Sequence, residues 1–444
     1  MRLLTYAAGI AGIAGLSIGS AAVAKTQITI ATVNNPQMVV MKKLTPEFEK
    51  KYPNIQVNWD VMPENKLRRK VTVDISTHSG SYDVVTLGAL NTPIWAKNGW
   101  ILPFKNLPKS YDKSDLLKPV RKALSYSGNL YALPFYAESS FTMYRKDLFK
   151  KAGLKMPQHP TYKQITKFAK KLNDPKKGIN GICLRGKAGW GLNMAYFDTL
   201  VNTYGGRWFN KQWQPELTSK AWHTAMHKYL SLMHNYGPNG ATSNGFVETE
   251  NLFANGHCAI WIDATSAAGY ITDPSTSKVA GNVGFAWAPV AKTKNGSHWL
   301  WSWALAIPKD TQHPQAARKF IEWATSKAYI NLVGEKKGWE NVPPGTRYST
   351  YKNPQYQKAA KKYAQLTLKS INQATPNHPT NKPVPYTGIQ FVAIPQFEGI
   401  GREVGQNVAA ALAGNMSADQ ALQKSQTAVK KIMKQAGYYS KNKK

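Results

Sequence analysis

Short apolar runs alternate with amphipathic segments along most of the chain. Residues 27–33 and 82–87 predict buried strands, and residues 55–59 alternate apolar and polar positions as a half-buried strand does. Between these strands, segments 38–51 and 66–77 repeat apolar residues at the spacing of one helix face. Strands separated by helices of this length indicate βαβ units and a mostly parallel sheet.

The same alternation begins again after residue 130. Further strands are predicted at 130–134, 140–144, 257–262 and 283–288. Helices are predicted at 162–172, 195–204, 221–234, 248–255, 314–333, 355–367, 404–413 and 418–435. Ser417 and Gln420 form a capping-box pattern at the start of the last helix. The pattern predicts an α/β protein, and its length of 444 residues predicts two or three domains.

The first 24 residues have the features of an export signal. Arg2 precedes an apolar stretch, and Ala22-Val23-Ala24 supplies the small-x-small pattern of a cleavage site, so the mature chain begins at Lys25. The alternative is a membrane anchor, but no basic flank follows the apolar stretch. No cysteine follows it either, which argues against a lipid anchor. We expect a periplasmic protein, secreted through a cleaved signal peptide at 1–24.

The chain is strongly basic, with 58 Lys plus Arg against 24 Asp plus Glu and a formal net charge of +34. Such a charge raises the question of a nucleic-acid partner. The basic residues are spread over helix-like segments, however, and no block of five or six like charges occurs. We therefore expect solvated helix faces and no nucleic-acid partner. Attraction to an anionic membrane surface and adaptation to an acidic exterior stay open.

Several kinds of chemistry find no support in the sequence. It contains no Gly-x-Ser-x-Gly, His-Glu-x-x-His or phosphate-loop motif, and its nine histidines are scattered. No catalytic residue, cofactor or metal site is predicted. Cys183 and Cys258 either pair in an oxidising compartment or stay as small buried side chains, and both alternatives remain open.

Several motifs carry a resemblance to a known family. Glu47-Phe48, Tyr-Pro-Asn-Ile-Gln-Val at 52–57, Tyr-Asp-Val-Val at 82–85 and Met-Tyr-Arg-Lys-Asp-Leu-Phe at 143–149 resemble family 1 extracellular solute-binding proteins, the sugar-capturing subunits of ABC importers. The resemblance covers nearly the whole mature chain. One departure is Tyr162, where the family usually has Trp, and its position at a helix start indicates a structural role.

A subset of that family, which captures mannitol, sorbitol and arabitol, is more similar still. The stretches concerned are Ile-Ala-Thr-Val-Asn-Asn at 30–35, the glycine-rich 181–191, Trp-Leu-Trp-Ser-Trp at 299–303, and Pro-Val-Pro-Tyr-Thr-Gly-Ile-Gln-Phe at 383–391. Their order and spacing together are specific, although each short motif alone is weak.

The resemblance implies a two-lobe periplasmic-binding-protein fold with a ligand cleft between α/β lobes. Three hinge crossings are expected near 136–139, 286–290 and 326–331. The first lobe would comprise 25–137 plus 287–328, and the second 138–286 plus 329–444. A ligand that contacts both lobes would favour their closed arrangement, which the importer's membrane subunits would recognise. We expect the binding protein itself to be a monomer.

A linear sugar alcohol presents many hydroxyls and a ridge of C–H groups without charge. Its site needs carboxylates and amides for the hydroxyls, rigid donor groups such as guanidinium, and aromatic faces against the C–H ridge. Residues of these types at strand ends, crossings and glycine-bearing loops are the candidate ligand contacts: Asn34, Asn35, Glu64, Tyr136, Glu138, Ser139, Arg185, Trp190, Asp263, Trp301, Trp303 and Arg347.

Most of these candidates also have a structural alternative. Glu64 and Asp263 could cap the segments that follow them, Arg185 and Arg347 could form salt bridges, and Glu138 could be a surface loop carboxylate. Any single tryptophan could pack in a core, but strand alternation places the three tryptophans of 299–303 on one face.

These observations favour a binding subunit without enzymatic activity that captures a sugar alcohol. A six-carbon alditol such as mannitol or sorbitol is the first choice, followed by arabitol, with monosaccharides as further candidates. One alternative is a secreted glycosidase or lyase on a similar two-lobe plan, using Glu64, Glu138 and Asp263. Another is an anion- or surface-binding protein attracted by charge, whose binding would collapse with salt.

Overall fold

The computed structural model describes residues 24–439, so the predicted signal peptide lies outside the described residues except for Ala24. The strands are β1 (Thr26–Val33), β2 (Ile55–Met62), β3 (Val84–Gly88), β4 (Ser125–Tyr126), β5 (Asn129–Leu130), β6 (Leu133–Glu138), β7 (Ser140–Arg145), β8 (Ile260–Ala264), β9 (Val283–Trp287) and β10 (Trp301–Ala306). Most of them lie within a few residues of the predicted strands.

The helices fill the segments between and after these strands. They are α1 (Pro36–Lys43), α2 (Thr45–Lys51), α3 (Glu64–Ser76), α4 (Asn91–Lys97), α5 (Lys118–Ala123), α6 (Lys146–Lys151), α7 (Tyr162–Leu172), α8 (Asn193–Thr203), α9 (Lys220–Tyr236), α10 (Phe246–Ala254), α11 (Ala268–Thr272), α12 (Pro314–Ala324), α13 (Lys327–Lys337), α14 (Tyr348–Lys352), α15 (Pro354–Ala359), α16 (Ala364–Gln373), α17 (Phe397–Leu412) and α18 (Ala418–Gln435).

Three predicted helices are each divided in the structure, and one of them, 355–367, forms α15 and the start of α16. The segment 38–51 forms α1 and α2, because Pro46 has no backbone N–H with which to continue the first helix. The segment 314–333 forms α12 and α13, and Ser326 caps the second of these by accepting a hydrogen bond from the backbone N–H of Tyr329. The last helix, α18, has the predicted capping box of Ser417 and Gln420.

The first lobe is built on a five-stranded sheet with the order β2-β1-β3-β10-β6. β1 pairs in parallel with β2 and β3, as predicted, whereas β10 runs antiparallel to both β3 and β6. β10 joins this sheet only after the chain has passed through the second lobe, so its direction does not follow from a βαβ unit. Phe48 of α2 packs against α12. Its ring centroid lies 5.1 Å from that of Phe320 and 5.4 Å from that of Trp323.

The second lobe contains a three-stranded antiparallel sheet with the order β8-β7-β9. The expectation of a mostly parallel sheet is therefore wrong for this lobe. Its helices α8, α9, α17 and α18 pack together, and Trp208 and Trp222 meet edge to face at 5.1 Å. A disulfide joins Cys183 to Cys258, whose Cα atoms lie 5.8 Å apart, which resolves the alternative left open for the two cysteines.

The chain passes between the sheets at Ser139, which separates β6 from β7, and again between Trp287 and Trp301. The third predicted boundary, at 328/329, falls inside α13, and Lys336 of this helix pairs with Glu47 of the first lobe. The division of the chain into domains stays a prediction. Over residues 24–439, none of the helices combines the length and apolar character needed to cross a bilayer.

Candidate functional site

A cleft lies between the lobes, beside the paired ends of β6 and β10. Trp301 is directly opposite Glu138 in this pairing, and Trp303 is opposite Tyr136. The cleft is lined from both lobes by aromatic, carboxylate, amide and guanidinium side chains: Asn35, Glu64, Arg68, Glu138, Arg185, Trp190, Phe246, Trp299, Trp301, Trp303 and Gln390, together with Gly191 and Ala195.

Arg68 lies among three tryptophan rings on the first-lobe side of the cleft. Its guanidinium carbon is 3.8 Å from the ring centroid of Trp190, 4.7 Å from that of Trp303 and 5.1 Å from that of Trp301. Nε and Nη2 both donate to Glu64 Oε1, at 3.0 and 2.8 Å. Because Glu64 and Arg68 are four residues apart on α3, one helix face supplies both charges.

Arg185 and Asp263 form a deeply buried pair on the second-lobe side. Arg185 Nε donates to Asp263 Oδ2 at 2.9 Å and Nη2 donates to Oδ1 at 2.5 Å, while Nη1 donates to the carbonyl of Gly191 at 2.8 Å. Burial disfavours a charged guanidinium, but the attraction of Asp263 outweighs it and raises the pKa of Arg185 above its ordinary value. The indole N–H of Trp261 also donates to Asp263, at 3.2 Å.

Glu138 ends β6 and is buried at the crossing between the lobes. The hydroxyl of Ser266, which lies in the second lobe, donates to its Oε2. Burial raises the pKa of Glu138 to about 7, although Ser266 and Arg185 both favour the ionised form. The carboxyl group can therefore act as a donor or as an acceptor near neutral pH. Beside it, Asn35 Nδ2 donates to the hydroxyl of Tyr136 at 2.6 Å.

Two further buried side chains each have an oxygen atom without a hydrogen-bond partner among residues 24–439. Gln390 Nε2 donates to the carbonyl of Leu300 at 2.9 Å, and within residues 24–439 its buried Oε1 has no hydrogen-bond partner. Glu250 lies behind the cleft on α10, and its Oε1 is likewise unpartnered among the described side chains. Burial raises the pKa of Glu250 well above its ordinary value, and the charge of Asp263 adds to this effect.

The lobes touch directly around the cleft. Asn65 Nδ2 of the first lobe donates to the carbonyl of Ala188 at 2.9 Å, and Gln37 Nε2 donates to the carbonyl of Ser266 at 2.9 Å. A Cβ atom on Gly191 would lie 2.1 Å from Glu64 Oε1, so a larger residue there would displace the Glu64 carboxylate. The structure thus shows the closed arrangement.

Most residues predicted as ligand contacts lie in or against this cleft. Seven of them line it: Asn35, Glu64, Glu138, Arg185, Trp190, Trp301 and Trp303. Tyr136 and Asp263 do not line it, but each forms a hydrogen bond with a lining residue. Ser139 is buried at the crossing, where its backbone exchanges hydrogen bonds with Thr265 of the second lobe.

Two predicted contacts lie elsewhere. Asn34 is exposed, because the chain turns after β1 so that Asn35 faces the cleft. Arg347 is fully buried, and its Nη2 donates to the carbonyl of Thr325 at 3.0 Å while its Nη1 donates to that of Asp112 at 3.2 Å. Its guanidinium also stacks 4.6 Å from the ring centroid of Tyr111. Its Nη1 is also 3.5 Å from Asp115 Oδ2, so this arginine has the structural salt-bridge role that was its alternative.

The sequence prediction missed Arg68, Phe246 and Gln390 as cleft residues. Arg68 lies on the predicted helix 66–77, and a prediction that began this helix at Glu64, as α3 does, would have placed the two residues on one face. Phe246 lies in a segment whose local pattern gives no indication of the cleft, whereas Gln390 belongs to the 383–391 stretch that carries the resemblance but was not itself a predicted contact. Trp299, which was placed on the tryptophan face but was not among the predicted contacts, also lines the cleft.

Comparison with known proteins agrees with this architecture. Residues 34–330 match the model of the bacterial extracellular solute-binding protein family. The chain is 51% identical to a mannitol-binding protein of Pseudomonas aeruginosa, over 93% of this chain and 94% of that protein. It also matches the structure of an ABC transporter solute-binding protein of Agrobacterium vitis S4 with bound D-mannitol, with a TM-score of 0.92, 54% identity, and coverage of 93% of this chain and 99% of that one.

A more distant structure has the same two-lobe fold. It is an ABC transporter solute-binding protein of Agrobacterium radiobacter K84 in complex with ribitol, with a TM-score of 0.81 and 26% identity over 92% of this chain and 99% of that one. The family match covers more than half of the chain, and the first relative is similar over nearly all of it. The chain belongs to the bacterial extracellular solute-binding protein family.

Proposed function

We propose that this protein is the substrate-binding subunit of an ABC importer and that it captures a six-carbon sugar alcohol, D-mannitol first among them. The observation that carries the proposal is a closed interlobe cleft in which three tryptophans surround polar groups supplied by both lobes. Support comes from the relative named for mannitol, at 51% identity, and from the structure described with bound D-mannitol, at 54% identity.

The charges in the cleft suit a neutral ligand. Glu64 is paired with Arg68, and Asp263 with Arg185, so each carboxylate meets a guanidinium before any ligand enters. A polyol can accept hydrogen bonds from the guanidinium groups and donate to the carboxylates without bringing a charge of its own. The raised pKa of Glu138 favours the same conclusion, because a neutral carboxyl can both donate to and accept from hydroxyls.

We also propose which cleft residues contact the ligand. Asn35, Glu64, Glu138 and Arg185 would bond the hydroxyls, and Trp190 with Trp301 and Trp303 would cover the C–H ridge. To the residues predicted from sequence we add Arg68 and Gln390, because both line the cleft and Gln390 Oε1 is a buried acceptor without a partner among residues 24–439.

The cellular role follows from the same family membership. We propose export through the signal peptide at 1–24, release without a lipid anchor, and delivery of the polyol to the importer's membrane subunits without chemical change. The disulfide between Cys183 and Cys258 supports an oxidising compartment. N-terminal sequencing of the exported protein tests the cleavage after Ala24.

Calorimetric titration of the mature protein tests the ligand assignment. D-Mannitol, sorbitol, D-arabitol, ribitol, glucose and maltose should be compared at equal concentrations, and D-mannitol should bind with the lowest dissociation constant at one site per chain. Binding should change little between 50 and 500 mM salt, because no net charge is transferred. Failure of every polyol to bind, together with binding of a disaccharide, would overturn the assignment.

Recovery of the ligand distinguishes a binding protein from a carbohydrate-active enzyme. After prolonged incubation with D-mannitol, and separately with oligosaccharides, nuclear magnetic resonance spectra of the small molecules should be unchanged. A new product that requires Glu64 or Glu138 would instead support the glycosidase or lyase alternative.

A further inference from the structure

Two histidines and an aspartate meet on the outer surface of the second lobe, away from the cleft. His223 and His227 are one turn apart on α9, and Asp419 lies in the first turn of α18. His223 Nδ1 is 2.7 Å from Asp419 Oδ1, and His227 Nε2 is 3.8 Å from the same oxygen. The three potential ligand atoms all lie within 4.8 Å of one another.

Packing between the helices fixes the backbone positions of these residues. On the buried face of α9, Trp222, Met226 and Tyr229 contact the core of the lobe. On α18, Gln426 accepts from the backbone N–H of Leu217 at 2.8 Å and donates to the carbonyl of Pro215 at 2.7 Å. The three polar side chains therefore project from two docked helices, as a preorganised metal site requires.

We propose that His223, His227 and Asp419 bind one divalent transition-metal ion of the Zn²⁺, Ni²⁺ or Cu²⁺ type. Two imidazoles and a carboxylate form a donor set that these ions prefer, and histidines at i and i+4 on a helix can reach one ion together. Zn²⁺ bonds to nitrogen and oxygen at roughly 2.0–2.1 Å, which separates neighbouring ligand atoms by about 3.3 Å in a tetrahedron. The separations of the two histidine nitrogens from Asp419 Oδ1, 2.7 and 3.8 Å, differ from that value by about 0.5–0.6 Å, and the two nitrogens lie within 4.8 Å of each other, so side-chain rotations can bring all three atoms to one ion.

The surroundings favour this class over hard cations. The groove beside this cluster is also lined by Glu403, Lys424 and Lys431. It therefore offers one further carboxylate and two positive ammonium groups, which is too few oxygen ligands for a hard cation. Ca²⁺ and Mg²⁺ depend on several oxygen ligands and gain little from imidazole. His227 and Asp419 are exposed, which leaves the remaining coordination positions to water.

The ion would join α9 to α18 within one lobe. It should therefore raise the melting temperature of the protein, and the rise should grow with the logarithm of the free ion concentration once this exceeds the dissociation constant. The cleft residues lie on other elements, so polyol affinity should stay within twofold. This separation makes the metal site independent of the ligand assignment, and either proposal can fail without the other.

Competition with a chromogenic chelator on untagged, metal-stripped mature protein tests the site. ZnCl₂ should bind at one ion per chain and MgCl₂ should not, and Co²⁺ should give the absorption of a protein-bound ion. His227→Gln and Asp419→Asn should each weaken Zn²⁺ binding at least tenfold. His378→Gln, which changes an exposed histidine elsewhere, is the matched control and should leave the affinity unchanged.

Two results would overturn the proposal. One is the absence of saturable Zn²⁺ binding by the folded protein. The other is Zn²⁺ binding that neither His227→Gln nor Asp419→Asn weakens. If both variants lower the melting temperature equally with and without Zn²⁺, the cluster is only a hydrogen-bonded contact between helices and the proposal is wrong.

Discussion

Two arginine–carboxylate pairs lie on opposite sides of the cleft, and the chain forms them in different ways. Glu64 and Arg68 are four residues apart on α3, and each side chain is 10% exposed. Arg185 and Asp263 are 78 residues apart, and their side chains are 5% and 0% exposed. One pair needs only a helix to form, whereas the other exists only after the second lobe has folded.

The difference in construction implies a difference in energetic role. The local pair is partly hydrated and belongs to a helix that other contacts maintain, so its loss should mainly affect the ligand. The buried pair is a charged group inside the lobe, and the loss of one partner leaves the other charge without compensation. The disulfide from Cys183 to Cys258 joins the two segments that carry Arg185 and Asp263.

The strongest way to break this comparison is Asp263→Asn. The change leaves the buried guanidinium of Arg185 unpaired, so the free energy of unfolding should fall by about 3–5 kcal/mol. Polyol binding should be lost as well, since Arg185 lines the cleft. Urea denaturation and calorimetry measure the two effects. Glu64→Gln, the matched change in the local pair, should cost less than about 1 kcal/mol of stability.

A second change tests whether a buried arginine outside the cleft affects stability without affecting ligand binding. Arg347→Met leaves the buried carbonyls of Thr325 and Asp112 without their donor, which should lower the free energy of unfolding by about 3 kcal/mol. Since Arg347 lies outside the cleft, the dissociation constant of the polyol should change less than twofold. A large loss of affinity in folded protein would show that the arginine acts on the cleft after all.

The pH dependence of stability tests the burial of Glu138, which lies at the crossing between the two lobes. Its folded pKa of about 7 exceeds the ordinary value of 4.5, so the folded state retains a proton that the unfolded state has released. The stabilising contribution is complete below pH 4.5 and is lost as the pH rises to 7, by up to about 3 kcal/mol. Stability of ligand-free protein minus that of Glu138→Gln should fall over this range.

That difference isolates Glu138 from Glu250 and Asp198, two other buried carboxyls whose pKa values burial also raises. All three groups make wild-type stability decline with pH in the same direction, so the wild-type curve alone is not diagnostic. A difference curve that stays flat between pH 4.5 and 7 would contradict the burial of Glu138.

The smallest expected effect concerns the local pair. Arg68→Gln removes a guanidinium that stacks on three tryptophan rings and pairs with Glu64. We expect the polyol dissociation constant to rise tenfold to hundredfold, or about 1.4–2.7 kcal/mol, with a stability change below about 1 kcal/mol. Arg68→Lys keeps the charge without the planar group, so it should recover only part of the affinity. Equal affinities in wild type and Arg68→Gln would remove Arg68 from the site.

Local pattern predicted a good part of both the fold and the cleft. The strand bounds around β1 and β7 and the full extent of α18 follow from periodicity and a capping box, which involve residues close in sequence. Alternation placed Trp301 and Trp303 on one face, and both line the cleft. Glu138 was located by its position at a predicted crossing between the lobes.

Other features had no local signal. The choice of Asn35 over Asn34 depends on how the chain turns after β1, and the position of Arg347 depends on two carbonyls of distant segments. The sequence places His223 and His227 one turn apart on the predicted helix 221–234, but it gives no indication of a third ligand. Asp419, 196 residues from His223, completes that cluster only through the packing of α9 against α18.

The sequence by itself determined the α/β class and the strand and helix periodicities, which depend on neighbours within a few positions. The family and the residue types of the proposed polyol site came from motifs whose order and spacing resemble known members. Only the tertiary structure decided that Arg185 would meet Asp263, that Arg68 would lie among three tryptophans, and that Cys183 would pair with Cys258. The physical reason is that each of these contacts joins side chains that become neighbours only when the lobes pack and close.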